Sequence, residues 1–349
     1  MAGIVVMGAG ILGLSAAFTL ARRGARVTVI ERAYPGAGAS GGLVGALAPH
    51  VPEGWNAKKQ LQFESLRMAE AFWSEVRAVG GRDPGYARLG RIQPLADAAA
   101  VARAEARARS ASELWQGAAA WRVVPAAEVP GLRAATPTGL VAHDTLSARI
   151  APRMGVAALV AALTRLGVAI AQGSGPPAGA EAVLWATGPE GLAELSRALS
   201  TPMGTAVKGQ AALLSADFPS SPQVYGDGLH VVPHADGMVA IGSTSERAFD
   251  AAETTDSQLD ALIARARVLC PDLIDAPVID RWAGLRARAP SRAPMLGPWP
   301  GRAGHFVLNG GFKIGFGMAP KLAALIADLV LDDRDAVPDG LRVMDNARH

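Results

Sequence analysis

Cysteine is almost absent from this 349-residue chain, with Cys270 the only one. A lone thiol excludes an internal disulfide and any metal cage built from cysteines. It also accords with a reducing compartment, so the expected location is the cytoplasm. Aromatic residues make up only 5% of the chain and charged residues 19%. Lysine is scarce as well. Only Lys58, Lys59, Lys208, Lys313 and Lys321 occur, so arginine carries most of the positive charge. A lysine in an apolar, glycine-rich setting therefore stands out. There is no block of like charges, and 34 Lys+Arg against 31 Asp+Glu leave a net charge of only +3. That balance speaks against nucleic acid as a partner.

Long apolar runs are also missing. A membrane-spanning helix needs ~20 unbroken apolar residues. Residues 1–20 are apolar but are interrupted by Gly8, Gly10 and Gly13, and no cation precedes Arg22. They read as a buried strand and helix rather than a targeting segment. Residues 322–331 are short and carry Asp328, which fits a packed helix. No stable membrane insertion is expected. What is abundant is apolar residue overall, at 50%, which excludes a disordered chain, and glycine, at 40 residues.

The pattern opens as a βαβ unit. Residues 4–7 read as a buried strand and 11–23 as a helix ended by Gly24. Residues 26–30 form a second strand that leads into Glu31. Residues 34–56 read as loop, and 57–79 and 97–116 as helices. Prolines 125, 130 and 137 break the next stretch into short strands and turns. A helix at 152–166 and strands at 168–171 and 182–186 follow. From 206 to 243 alternating runs predict antiparallel strands at 206–214, 229–233 and 238–242, with His234 in a solvated hairpin turn. A helix at 256–270, a strand at 278–284, a strand at 306–308, a glycine-rich turn at 310–317 and a last helix at 318–331 complete the chain. This is a nucleotide-binding unit interrupted by mostly β insertions.

Gly8-Ala9-Gly10-Ile11-Leu12-Gly13 is a GxGxxG motif between the first strand and first helix, and Glu31 ends the second strand 18 residues past Gly13. That context makes it a dinucleotide fingerprint. Gly8 serves the tight turn, Gly10 the close approach to pyrophosphate, and Gly13 the packing of helix on sheet. The helix N-terminus offers free N–H groups to phosphate, and Glu31 accepts from ribose hydroxyls. Glu31 disfavours a 2′-phosphate, although Arg32 is adjacent. The fingerprint alone leaves FAD and NAD open.

Several further motifs, in order and spacing, resemble the D-amino acid oxidase superfamily of FAD-dependent amine oxidoreductases, closest to glycine oxidase and monomeric sarcosine oxidase. They are Gly38-Ala39-Ser40-Gly41 with Leu47-Ala48-Pro49-His50, Leu184-Trp185-Ala186-Thr187-Gly188, and Val207-Lys208-Gly209-Gln210. To these are added Arg281-Trp282-Ala283-Gly284-Leu285-Arg286 and Gly310-Gly311-Phe312-Lys313-Ile314-Gly315. The resemblance implies an α/β chain, α+β overall, with a Rossmann-like FAD-binding domain and an interleaved antiparallel-β substrate domain. The expected division is 1–82, 145–205 and 284–349 for FAD, and 83–144 and 206–283 for substrate. The expected FAD contacts are residues 8–13, Glu31, Arg32, Ala39, Ser40, Gly41, Ala186, Thr187, Gly188 and residues 310–315. In the last segment, N–H groups of the turn face the flavin pyrimidine edge. Some sarcosine oxidases attach FAD through a cysteine shortly after the position of Arg286. Here Pro294-Met295 occupies that region, so the FAD is expected to be non-covalent and no metal is expected.

By the same resemblance, Arg286 matches the arginine that forks the substrate carboxylate, and Lys313 occupies the place of a second carboxylate-binding cation. Both residue types suit the task, the guanidinium by its planar fork. His230 falls where glycine oxidase has an active-site tyrosine, a departure that leaves an imidazole to cap the pocket or bond the amine. His50 follows the flavin-facing loop. The implied reaction moves a hydride from the α-carbon of a small amino acid or N-methyl amino acid to flavin N5, giving an imine that hydrolyses to a 2-oxo acid. The partners are that amino acid and oxygen or another electron acceptor. Two alternatives stay open: a dehydrogenase of the same build that uses a quinone or protein acceptor, and a non-catalytic dinucleotide-binding redox sensor.

Overall fold

A computed structural model describes residues 3–348. β1 (Ile4–Met7), α1 (Ile11–Arg22) and β2 (Val27–Glu31) form the opening βαβ unit, followed by β3 (Ala46–Leu47) and α2 (Ala57–Gly80). Next come β4 (Arg91–Pro94), α3 (Ala98–Leu114), β5 (Trp121–Pro125), β6 (Leu140–Asp144) and β7 (Ala148–Arg149). α4 (Pro152–Arg165), β8 (Ala169–Gln172), β9 (Ala182–Trp185) and α5 (Gly188–Leu199) lead to β10 (Thr205–Ser215), β11 (Gln223–Gly226), β12 (Leu229–Pro233) and β13 (Met238–Gly242). α6 (Ser257–Leu269), β14 (Val278–Arg288), β15 (Met295–Pro298), β16 (His305–Asn309) and α7 (Gly315–Asp332) complete the chain.

The strands make two large sheets. One is six-stranded in the order β15-β16-β9-β1-β2-β8, parallel except at the β15–β16 hairpin. The other is eight-stranded in the order β14-β10-β13-β12-β11-β4-β6-β5, antiparallel except where β11 meets β4. β3 pairs with β7 between them. A parallel sheet must be covered on both faces: α1, α4 and α7 cover one with an apolar core that includes Leu14, Phe18, Leu159, Leu322 and Ile326, and Leu192 and Leu195 of α5 pack with Val5, Met7 and Val183 on the other.

The helices begin where capping chemistry allows. The Asn56 side chain accepts from Lys59 N at 3.1 Å and opens α2, which stops at Gly81 with φ 68°. Asp256 accepts from Gln258 N at 2.9 Å and opens α6. α6 covers one face of the eight-stranded sheet through Leu259, Leu262 and Ile263 against Val224, Val231, Val239 and Ile241. Side chains alternate across a strand, so Tyr225, His230, Ala240 and Ala211 point to the opposite face. That face is where the candidate site lies.

The structure corrects several expectations. The last helix starts at Gly315, so the glycine-rich turn is shorter than 310–317. Residues 34–56 are not all loop, because Ala46 and Leu47 pair with β7. β14 runs to Arg288 because β10 offers it eleven residues of partner. His234 is buried at 5% exposure rather than solvated, since Arg149 and the end of β12 pack over it. Cys270, expected from its place at the end of an amphipathic helix to be an inert buried thiol, is buried at the end of α6, and desolvation pushes its thiol up to about 12.

Candidate active site

The opening glycines are positioned by close backbone contacts. Gly8 has φ 100°, and a Cβ there would stand 2.5 Å from the Ala186 carbonyl oxygen. A Cβ on Gly13 would stand 2.0 Å from the Gly8 carbonyl oxygen, so α1 reaches the sheet only because residue 13 has no side chain. Gly10 differs. Its missing Cβ would meet only the Ser40 hydroxyl, at 3.2 Å, and otherwise faces open space. Ser40 Oγ accepts from Ile11 N at 2.9 Å, which ties the 38–42 loop to the start of α1.

Glu31 accepts from Ala9 N at 2.8 Å and from Ala33 N at 3.1 Å, so its carboxylate is fixed at the mouth of the fingerprint with lone pairs to spare. Arg32 points outward and pairs with Glu190 of α5 at 2.6 Å, both exposed. Ala186 N donates to Met7 O at 2.8 Å and brings the Thr187-Gly188 turn beside Gly8. Thr187 Oγ1 is buried with no partner. Asn309, which sequence reasoning passed over, holds two of these segments together: its amide donates to Gly188 O at 2.9 Å, and its oxygen accepts from Gly310 N at 2.7 Å.

These features fit a dinucleotide. The open side of Gly10, the N–H groups of Leu12 and Gly13 at the start of α1 and the fixed Glu31 carboxylate lie together at the C-terminal ends of β1 and β2, and the buried Thr187 hydroxyl follows the end of β9. At the other end, Phe312 N donates to Ala287 O at 3.0 Å and Ile314 N to Gly311 O at 2.9 Å. Those two N–H groups are therefore occupied, which narrows the expected donor set. The N–H groups of Gly315, Phe316 and Gly317 open α7 without helical partners, since the first bond of the helix runs from Met318 N to Ile314 O at 2.9 Å.

Of the candidate catalytic side chains, Arg286 and His230 stand on the eight-stranded sheet, Lys313 in the turn between β16 and α7, and His50 between β3 and α2. Arg286 stands on β14 opposite Val207 of β10 and is 8% exposed. Its Nη1 donates to Thr244 O at 3.2 Å. Burial lowers it to about 10, and the Glu246 charge opposes that fall. Lys313 is more accessible, and is lowered by partial burial and by the Arg286 charge. No ion pair engages Lys313 among the described residues. His230 of β12 is half-buried, packs against Tyr225 with the rings tilted by 45° and centroids 4.6 Å apart, and leaves Nδ1 without a partner. Burial first, then the charges of Arg91 and Lys313, push it down to about 3, so it is neutral at ordinary pH.

His50 is set apart from the Arg286–Lys313 pair. Its backbone N–H donates to Gln62 Oε1 at 2.8 Å, and its Nδ1 meets the same oxygen. Burial lowers its pKa, Gln62 opposes this, and its charged neighbours are Lys58, Lys59 and Arg91. Arg91 is a further residue that sequence reasoning missed. It is buried, pairs with Asp144 at 3.0 Å, and lies 5.7 Å over the Tyr225 ring. A separate cavity of about 420 Å³ borders Tyr34, Gly41, Arg82, Arg153 and Trp282. None of the candidate catalytic side chains lines it. Among the described residues no acidic, histidine or cysteine cluster is arranged to hold a metal, and no helix is long and apolar enough to cross a membrane.

Comparison with known proteins agrees in family. Residues 3–329 match the family described as DAO, FAD dependent oxidoreductase. Glycine oxidase of Pseudomonas aeruginosa is 30% identical over 363 residues, with 94% of each chain covered. Glycine oxidase of Pseudomonas putida is 30% identical and covers 97% of this chain and 98% of its own. Among solved structures, iminodiacetate oxidase (IdaA) from Chelativorans sp. BNC1 superposes with TM-score 0.84 at 25% identity, over 96% of this chain and 97% of that one. Glycine oxidase from Geobacillus kaustophilus superposes with TM-score 0.80 at 25% identity, over 97% of both chains.

Proposed function

The chain belongs to the DAO family of FAD-dependent oxidoreductases, and from that membership we propose that it oxidises a small amino acid or N-methyl amino acid of the glycine, sarcosine or D-amino acid class. It is an enzyme acting on CH–NH2 or CH–NH groups of amino acids, with FAD as its cofactor. The observation that carries the finer reading is the placing of two cations from different elements. Phe312 N donates to Ala287 O at 3.0 Å, so the turn that carries Lys313 is bonded to β14 at the residue after Arg286. Burial, then the Arg286 charge, lowers Lys313, beside a histidine that stays neutral.

In this reading Arg286 holds the substrate carboxylate with the N–H groups not given to Thr244, and Lys313 contacts the same anion from the α7 side. His230, neutral and with Nδ1 unpartnered, keeps one ring N–H and has its other nitrogen free to accept an N–H of the neutral amine. Bound FAD supplies the two-electron acceptor for the α-hydrogen. The cradle of residues 8–13, Glu31, Ala39, Ser40, Gly41, Ala186, Thr187 and Gly188 would hold its nucleotide and phosphates, with Arg32 engaged by Glu190 instead, and the turn from Gly310 with the free N–H groups of Gly315, Phe316 and Gly317 would meet its ring edge. Loss of the hydride and an amine proton leaves an imine; water adds to it, and ammonia or methylamine departs to give the 2-oxo acid. The FAD is non-covalent with respect to cysteine, because the only thiol is buried on the far side of the sheet at the end of α6. We assign 1–82, 145–205 and 284–349 to FAD, and 83–144 and 206–283 to substrate, with β14 crossing the border. The reaction is placed in the cytoplasm, with oxygen or another acceptor regenerating the oxidised enzyme.

The test is to replace Arg286 and Lys313 together by Met. The variant stays folded and yellow while kcat/KM collapses for the amino acid that bleaches the wild type anaerobically; unchanged kinetics would remove both residues from the site. Stopped-flow reoxidation in air identifies the acceptor class, since slow reoxidation requires a carrier other than oxygen.

A further inference from the structure

Arg286 sits in a slot that the adjacent strand provides. Paired residues of β10 and β14 face the same way, and Gly209 pairs with Gly284 one pleat from Arg286. A Cβ on Gly209 would lie 1.8 Å from Arg286 Nη1, 2.1 Å from Cζ and 2.2 Å from Nη2. All three nearest atoms belong to the guanidinium, so its plane rests directly on the glycine backbone. Gly209 lies within a regular strand and has no positive φ, so space rather than backbone conformation demands glycine here.

The rim of the slot is fixed from behind. Thr244, whose carbonyl oxygen receives Arg286 Nη1, donates its hydroxyl to Glu246 and accepts from Gln210 N at 2.8 Å. Glu246 Oε1 also accepts from Gln210 Nε2 at 3.0 Å, and Oε2 lies 3.4 Å from Lys208 Nζ. Backbone bonds of 2.9 Å run both ways between Lys208 and Glu246. The Lys208-Gly209-Gln210 run thus supplies one flat surface toward the cleft and two anchoring side chains away from it.

We propose that Gly209 and Glu246 are positioning residues for carboxylate recognition, Gly209 by holding the guanidinium of Arg286 flat against β10 and Glu246 by fixing Thr244 and supplying the counter-charge. The inference rests on the reading of Arg286 as the carboxylate holder. A Cβ at 209 meets only the far end of a flexible side chain, so Gly209→Ala leaves the fold intact and turns the guanidinium out of its place.

The probe is acetate, titrated into the FAD-loaded enzyme and into the FAD-free protein by calorimetry. Gly209→Ala is expected to raise the acetate Kd at least ~10-fold and to raise KM for the amino acid more than it lowers kcat, with Tm within a degree of wild type. Arg286→Lys provides the cycle. A lysine stem does not need the flat surface, so the double variant Gly209→Ala/Arg286→Lys binds acetate as weakly as Arg286→Lys alone, and no weaker. Glu246→Gln keeps the shape and removes the charge. The charged groups facing Arg286 are Glu246 and Lys313, with Lys208 behind Glu246. Without the carboxylate that anchors Thr244 and Gln210, the acetate Kd at pH 7 is expected to rise at least ~3-fold. Wild-type acetate affinity in Gly209→Ala, or strictly additive effects in the cycle, overturns the inference. If Arg286→Met itself binds acetate normally, the carboxylate assignment of the previous section fails instead. If Gly209→Ala does not fold, the acetate Kd of Glu246→Gln at pH 7 decides alone, and a wild-type value overturns the proposal.

Discussion

Gly10 and Gly13 stand three residues apart in one motif, yet the structure assigns them opposite consequences on replacement. At Gly13 an added Cβ lies 2.0 Å from the Gly8 carbonyl oxygen and 3.3 Å from Ala186 Cβ, both on the sheet side of α1. Neither backbone can yield, so the helix must withdraw. Overpacking of this kind costs about 3 kcal/mol, and at most roughly 1 kcal/mol returns from replacing this first-turn helix glycine by alanine. The net loss of about 2 kcal/mol lowers Tm by about 3 °C, taking roughly 2.1 cal/mol/K per residue for the entropy of unfolding. At Gly10 the added methyl group meets only a hydroxyl at 3.2 Å. The cost there is limited to a weaker N-cap, about 0.5–1 kcal/mol. The methyl group points into the space reserved for pyrophosphate, so the loss appears in FAD binding. Gly10→Ala should therefore unfold within ~1–2 °C of wild type when FAD-free, with its FAD Kd raised at least ~10-fold, equivalent to about 1.4 kcal/mol. Gly13→Ala should lose both stability and FAD. Differential scanning fluorimetry of the FAD-free proteins and fluorescence titration with FAD separate the two. If Gly10→Ala binds FAD like the wild type, the pyrophosphate does not pass over residue 10. If it is as unstable as Gly13→Ala, the contact geometry given for the motif is wrong.

Other consequences follow from buried charge. Asp144 is fully buried and accepts from Arg91 Nε at 3.0 Å and from Ser147 N at 2.8 Å, so Asp144→Asn strands the Arg91 charge. A loss of about 3–5 kcal/mol in urea unfolding is expected, largely recovered by adding Arg91→Met; a loss below 1 kcal/mol would show that Arg91 finds another partner. His234 is held near 4 by burial against a usual 6.5. The unfolded chain binds the proton that the native state refuses, so the stabilising contribution is complete above pH 6.5 and is lost as pH falls from 6.5 toward 4. Between pH 7 and 5 this costs about 2 kcal/mol. His234→Gln should flatten the pH dependence of the urea midpoint by that amount, and parallel curves for the two proteins would refute the burial argument.

Elements that follow from local chemistry were legible in the sequence, and elements that depend on distant partners were not. The strand at residues 4–7 and those at 229–233 and 238–242 carry their own apolar runs and turn residues, and their ends coincide with the structure. β4, β11 and β15 were not foreseen. Each has four residues and ends in proline or glycine, so no period of two can register. β4 and β11 are strands because Gln223 meets Arg91 across a long stretch of chain, and β15 because Met295 meets Asn309 across a hairpin. The same reason accounts for His234. Its neighbours Ala235-Asp236-Gly237 signal an exposed turn, and nothing local reveals that Arg149 of β7 reaches the Pro233 carbonyl at 2.7 Å and closes the site over it.

The candidate site divides along the same line. Glycines reveal where backbone must pass close to something, and the resemblance to a known family attached Arg286 and Lys313 to a task. Neither source reveals what holds a functional side chain in place. Thr244, Glu246 and Asn309 act through hydrogen bonds to segments 42, 36 and 121 residues away, and their residue types are ordinary in isolation. Gly209 is instructive because the sequence offers it as one glycine among 40. Its meaning comes only from the guanidinium that lies where its Cβ would be. A charged side chain that must bind an anion at a defined angle loses less entropy on binding when it is already immobilised. The buried polar network behind Arg286 does that immobilising, and it keeps the arginine charged despite burial through the Glu246 carboxylate. A site with the same arginine on a strand facing alanine would retain the charge and lose the angle.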